Sequence, residues 1–139
     1  LKMKQLLILF LFLPGIVLCG IPKPHAEVSD TVRYKGVQRL IEGKDNVVAV
    51  FAKGLVCSSC GIGVRQHLKR IENVDHTRFK KGVELNAQIQ VALIAVKEGA
   101  KLDEAKVSQS IYDAGYDPVH IFEWDGIKVV QRDIIQPKK

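Results

Sequence analysis

Val47-Val48-Ala49-Val50-Phe51-Ala52-Lys53-Gly54-Leu55-Val56-Cys57-Ser58-Ser59-Cys60 runs from an apolar, β-branched segment into a pair of cysteines two residues apart. Six consecutive apolar residues rich in valine read as a short buried strand. Gly54 lets the backbone turn sharply after it. From about Ser59 to Glu72 the pattern changes to helical spacing. Val64, Leu68 and Ile71 recur at i, i+4, i+7, Ser58 or Ser59 is available as a cap, and Arg65, Gln66, Lys69 and Arg70 turn to water. Strand, loop and helix thus bring Cys57 and Cys60 to a helix start. There the unpaired N–H groups and the dipole favour a thiolate.

Downstream, Val74 to Val96 reads as a hairpin. Thr77, Phe79, Val83 and Leu85 share one parity, and Ile89, Val91, Leu93 and Ala95 another. The turn is expected either at Lys80-Lys81-Gly82 or at Asn86-Ala87. A second helix is expected from Asp103 to Ala114, with Val107, Ile111 and Ala114 inward, Gly115 as its stop and Pro118 just beyond. Val119 to Trp124 forms a last core strand. Asp125-Gly126 is a hairpin signal that adds an edge strand at Ile127 to Val130. The order β-α-β-β-α-β predicts an α+β fold: a ferredoxin-like sandwich with a four-stranded antiparallel sheet and two helices on one face.

The chain has 139 residues, enough for one domain with extensions. Residues 1–26 read as a signal peptide. Lys2 and Lys4 precede the apolar stretch Leu6 to Leu18, and cleavage is expected after Ala26. Ile16-Val17-Leu18-Cys19-Gly20 also resembles a lipoprotein cleavage box, which would anchor the chain through a lipidated Cys19. Residues 27–45 read as a polar extension packing loosely, 46–124 as the domain, and 125–139 as a C-terminal hairpin extension and tail. The predicted location is periplasmic. Of 21 basic residues, Lys2, Lys4 and Lys23 precede Glu27, leaving 18 against 15 acidic residues (21 less 3). That small excess, without a basic stripe interleaved with aromatics, argues against nucleic acid as a partner.

If cleavage removes Cys19, two cysteines are too few for a disulfide framework, so their spacing points to chemistry. Two thiolates make a soft, low-coordinate donor set for Cu(I) or Hg(II), with Zn(II) a poorer fit because structural zinc wants four ligands. The same pair can also exchange disulfides. His67, two helical turns beyond Cys60, reads as a surface histidine. His76 and His120 have no spacing that leads to the loop, and His25 falls in the leader. Phe122 and Trp124 read as sheet-face packing. No nucleophile–base–orienter set or phosphate-cradling glycine loop appears, so no enzyme activity is expected from these residues beyond thiol exchange.

Gly54-Leu55-Val56-Cys57-Ser58-Ser59-Cys60, followed by Val64 and Leu68, resembles the heavy-metal-associated domain signature G-M-T-C-x-x-C with its apolar residues four and eight positions on. Asp113-Ala114-Gly115-Tyr116 resembles that family's ending after the second helix. The resemblance spans about Val47 to Glu123 and implies the same β-α-β-β-α-β fold, with Cys57 and Cys60 as metal ligands. It also implies that the Tyr116 ring approaches the metal loop. Exported single-domain members that bind mercury, and then those that bind copper, are nearest in layout. The implied partner is a metal-transporting membrane protein or another metal-binding domain, and the implied state is a monomer. Leu55 and Val56 depart from the usual Met and Thr. The segment from Cys60 to Gly115 is also longer than usual, with the excess expected between Phe79 and Gln90.

Overall fold

A computed structural model describes residues 27–57 and 59–139. The proposed leader, Cys19 and His25 lie outside the described residues, as does Ser58. Three helices and five strands follow in the order α1 (Asp30–Ile41), β1 (Val47–Lys53), α2 (Ile62–Leu68), β2 (Val83–Asn86), β3 (Val91–Ala95), α3 (Glu104–Asp113), β4 (Asp117–Trp124) and β5 (Val129–Asp133). The strands form one sheet in the order β2-β3-β1-β4-β5, and every pairing is antiparallel.

This corrects the expected architecture. Five strands and three helices replace the four-stranded ferredoxin-like sandwich with two helices on one face. The cause lies in β1, where every residue from Val47 to Ala52 is buried. Alternate side chains of a strand point to opposite faces, so both faces must be covered. Val48, Val50 and Ala52 pack with Val64 and Leu68 of α2 and Val107 and Ile111 of α3. Val47, Ala49 and Phe51 pack instead with Val37 and Ile41 of α1 and Phe122 of β4. Of the six residues expected on the inner faces of the two helices, Val64, Leu68, Val107 and Ile111 are fully buried, a contribution of roughly 1.5–3 kcal/mol each before entropy is charged; Ile71 is buried just beyond α2, and Ala114 is half-buried just after α3.

The segment expected to pack loosely is therefore a structural layer. Ser29 caps α1, its Oγ accepting from the Val32 N–H at 3.4 Å. The helix runs through Gly36, whose Cα side faces Ile89 so closely that a Cβ there would lie 3.1 Å from its Cδ1. Arg33 is only 1% exposed. Its guanidinium stacks 3.4 Å from the Phe51 ring centroid and donates to the Ile89 carbonyl (3.1 Å), the Gln90 side chain (3.3 Å) and the Val28 carbonyl (3.1 Å). Asp30 completes the set as ion-pair partner. Burial lowers the Arg33 pKa from its ordinary value, while Asp30 and Glu27 pull it back up.

Two further expectations change. The alternating pattern at Thr77 and Phe79 belongs to no strand. The chain from Lys69 to Gly82 is a succession of turns, with Asn73, Phe79 and Lys81 at positive φ, and β2 starts only at Val83. The hairpin turn then falls at residues 87–90, nearer the second of the two sequence alternatives, but Asn86 ends β2 and only Ala87 of that pair lies in the turn. The C-terminal tail is docked rather than loose. Ile134 is buried, the Ile135 N–H donates to Glu104 (2.8 Å), and the Lys138 N–H donates to the Gln109 side chain (3.0 Å). The tail thereby runs along α3. The Asp125 carboxylate holds the β4–β5 turn by accepting from the Ile127 and Lys128 N–H groups, and the bond from Lys128 is the first cause of its lowered pKa.

Candidate functional site

β1 ends at Lys53, opposite Asp117 at the start of β4, and the cysteine loop leaves the sheet there. Gly54 takes φ +95°, a left-handed turn that glycine adopts without penalty. Leu55 then folds back, its N–H donating to the Ala52 carbonyl at 3.1 Å, and its side chain is fully buried. The Leu55 side chain is thus an apolar plug beneath the loop. It fixes the base of the loop while the cysteines stay outside.

α2 begins at Ile62, after both cysteines, with Gly61 as N-cap and no side-chain cap. The expected helix start near Ser59, and Ser59 as its cap, are therefore corrected. Gly61 is buried between Leu55 and Leu85; a Cβ would lie 2.9 Å from Leu55 Cδ1 and would collide with Leu85 Cδ1. Close approach of backbone to core is why glycine follows the second cysteine. Sequence reasoning missed that residue, although a glycine directly before a helical pattern was the available signal.

Cys57 and Cys60 are joined as a disulfide with their Cα atoms 5.3 Å apart. Cys57 is half-buried and Cys60 exposed. The Cys60 N–H donates to Cys57 Sγ at 3.1 Å, and the Ser59 hydroxyl lies 3.4 Å from the same sulfur. A disulfide sulfur carries no proton, so the serine is the donor. Tyr116, in the α3–β4 connection, donates from its hydroxyl to the Cys60 carbonyl at 2.7 Å. Its ring edge stands beside Gly54. Tyr116 thus closes the loop from above, linking the end of α3 to the second cysteine. An open depression of about 680 Å³ beside it is lined by Tyr112, Gly115, Asp117 and Lys139, the last brought there by the docked tail.

The histidines are elsewhere. His67 is half-buried on α2, His76 Nε2 meets the Lys69 carbonyl at 2.6 Å, and His120 Nδ1 lies 3.0 Å from Asp133 between β4 and β5. Phe122 and Trp124 pack against the α1 face, as expected of sheet residues. Among the described residues, no group of three or more His, Cys, Asp or Glu side chains is arranged to share a metal ion. Comparison with protein-family models, curated proteins and solved structures gives no match, so the site is read from Cys57, Cys60 and the residues packed around them.

Proposed function

We propose that this chain carries a soft metal ion, Cu(I) or Hg(II), as cargo between Cys57 and Cys60, and that it belongs with the heavy-metal-associated domains its motif resembles. The observation that carries the reading is that both sulfurs lie in one loop, at the sheet end, over a buried Leu55 plug and under Tyr116. The Cys57–Cys60 disulfide is the oxidised form of the pair. A dithiol reductant supplies two electrons and two protons to give two thiols, and the ion then displaces those protons as it binds. Two soft thiolates satisfy an ion content with low coordination. Cys60 is exposed and is followed closely by Ile62, a 54% exposed apolar side chain. That setting suits hand-over to the thiols of a metal-transporting membrane protein or another metal-binding domain. The charged and apolar leader sequence fits a periplasmic carrier.

The disulfide also favours a second reading, thiol–disulfide exchange. In that chemistry an external thiolate attacks one sulfur and the other leaves as thiolate. Cys60 is the more accessible sulfur, and Cys57, which accepts from the Cys60 N–H and Ser59, is the leaving one. Exchange therefore predicts that Cys57→Ser, with Cys60 free, accumulates mixed disulfides with other proteins and that the parent reduces insulin. The carrier reading expects neither. Non-reducing gels of both single-serine variants, with an insulin turbidity assay of the parent, decide between the two; trapped partners and insulin reduction together would exclude the carrier.

A further inference from the structure

The turns between α2 and β2 stand at the end of the sheet opposite the cysteines, where Val74 bridges to Val96. This stretch runs from Lys69 to Gly82. It surrounds an open depression of about 600 Å³ whose rim carries Lys69, Arg70, Lys81, Lys97 and His76. The floor is Ile71 and Val74, and Glu72 is the one carboxylate among the lining residues. None of the four cations takes part in an ion pair among the described residues. Asp75, the nearby acid, accepts instead from the Thr77 N–H (3.0 Å) and hydroxyl (2.6 Å).

The bowl is also held rigidly. The Lys97 N–H donates to the Asn73 carbonyl (2.9 Å), the Asp75 N–H to Ala95 (2.9 Å), and the Asn73 side chain to the Lys101 carbonyl (3.0 Å). Lys81 itself sits at φ 54°, a left-handed conformation disfavoured for a residue with a Cβ. Four cations against the single lining carboxylate, Glu72, leave the concavity with an excess of positive charge, which favours an anion. We propose that this depression binds a phosphate-bearing anion through Lys69, Arg70, Lys81 and Lys97. Tetrahedral oxyanions accept charge-assisted bonds from several ammonium and guanidinium donors at once. The site is independent of the cysteines.

Titration of the full chain with inorganic pyrophosphate, followed calorimetrically, tests this. Saturable binding is expected, weakened about tenfold or more by Lys81→Glu/Lys97→Glu and unchanged by Lys35→Glu/Lys128→Glu, which alters net charge equally elsewhere. Cys57→Ser/Cys60→Ser should bind pyrophosphate like the parent. In the unmodified chain, pyrophosphate should protect Lys69, Lys81 and Lys97 from acetylation but not Lys35, a readout that does not depend on any variant folding. Sedimentation with phosphatidylglycerol vesicles, but not phosphatidylcholine vesicles, identifies the phosphate as that of a lipid headgroup; pyrophosphate binding without sedimentation identifies a soluble ester. No saturable binding in either arm, or equal losses in both double variants, overturns the proposal.

Discussion

Serine at either Cys57 or Cys60 should abolish the proposed tight binding of one Cu(I) or Hg(II) per reduced chain. Each thiolate supplies about half of a two-coordinate bond set, and a serine hydroxyl is neither soft nor deprotonated near neutral pH. The loss should exceed the roughly 10–100-fold that removal of an outer-shell partner costs a metal site. Competition against a chelator of fixed affinity measures it. The same titration at lower pH should show the parent weakening, because every proton bound by a free thiol must be displaced. Retention of parent-like affinity by either single variant would contradict two-thiolate binding.

Arg33→Ala should destabilise the fold by about 3–5 kcal/mol, read as a fall in the urea midpoint at unchanged slope. The substitution opens a cavity against Phe51 and leaves the Ile89 carbonyl and the Gln90 side chain without their donor. Arg33→Met, which refills much of the volume but restores no donor, should recover part of the loss. Arg33→Lys should recover less than a full bonding pattern implies, since one ammonium cannot reproduce the planar fork. The connection reaches the site, because the Gln90 carbonyl accepts from the Ala52 N–H two residues before Gly54. A stability change below about 0.5 kcal/mol, typical of surface substitutions, would mean that α1 does not cover the second face as described.

That same residue explains much of what the sequence concealed. A helix whose buried stripe contains an arginine looks polar, so Asp30–Ile41 read as a loose leader; only its bonds to Ile89 and Gln90 and its stack on Phe51 make it core. The unbroken burial of Val47 to Ala52 carries the complementary signal, since a strand apolar on both sides needs two covers. Patterns with a single period were legible. Val64, Leu68, Val107 and Ile111 face inward, and Gly115 stops α3 at φ +92°, whereas Asp103, expected as the first helical residue, is its cap. Alternation between Thr77 and Val83 misled because Phe79 and Lys81 take left-handed conformations, which no periodicity reveals. At the site the cysteines and Tyr116 stood out in the sequence. The pressure of Leu55 and Leu85 on Gly61, and the bonds from Ser59 and the Cys60 N–H to the Cys57 sulfur, required coordinates.

Native mass spectrometry of the same preparation, reduced and oxidised, under a competing chelator tests the central claim most directly. The account predicts one Cu(I) or Hg(II) per reduced chain, a weaker response to Zn(II), and no bound metal once the Cys57–Cys60 disulfide has formed. Equal metal loading of the reduced and oxidised chains, or none in the reduced chain, would contradict it.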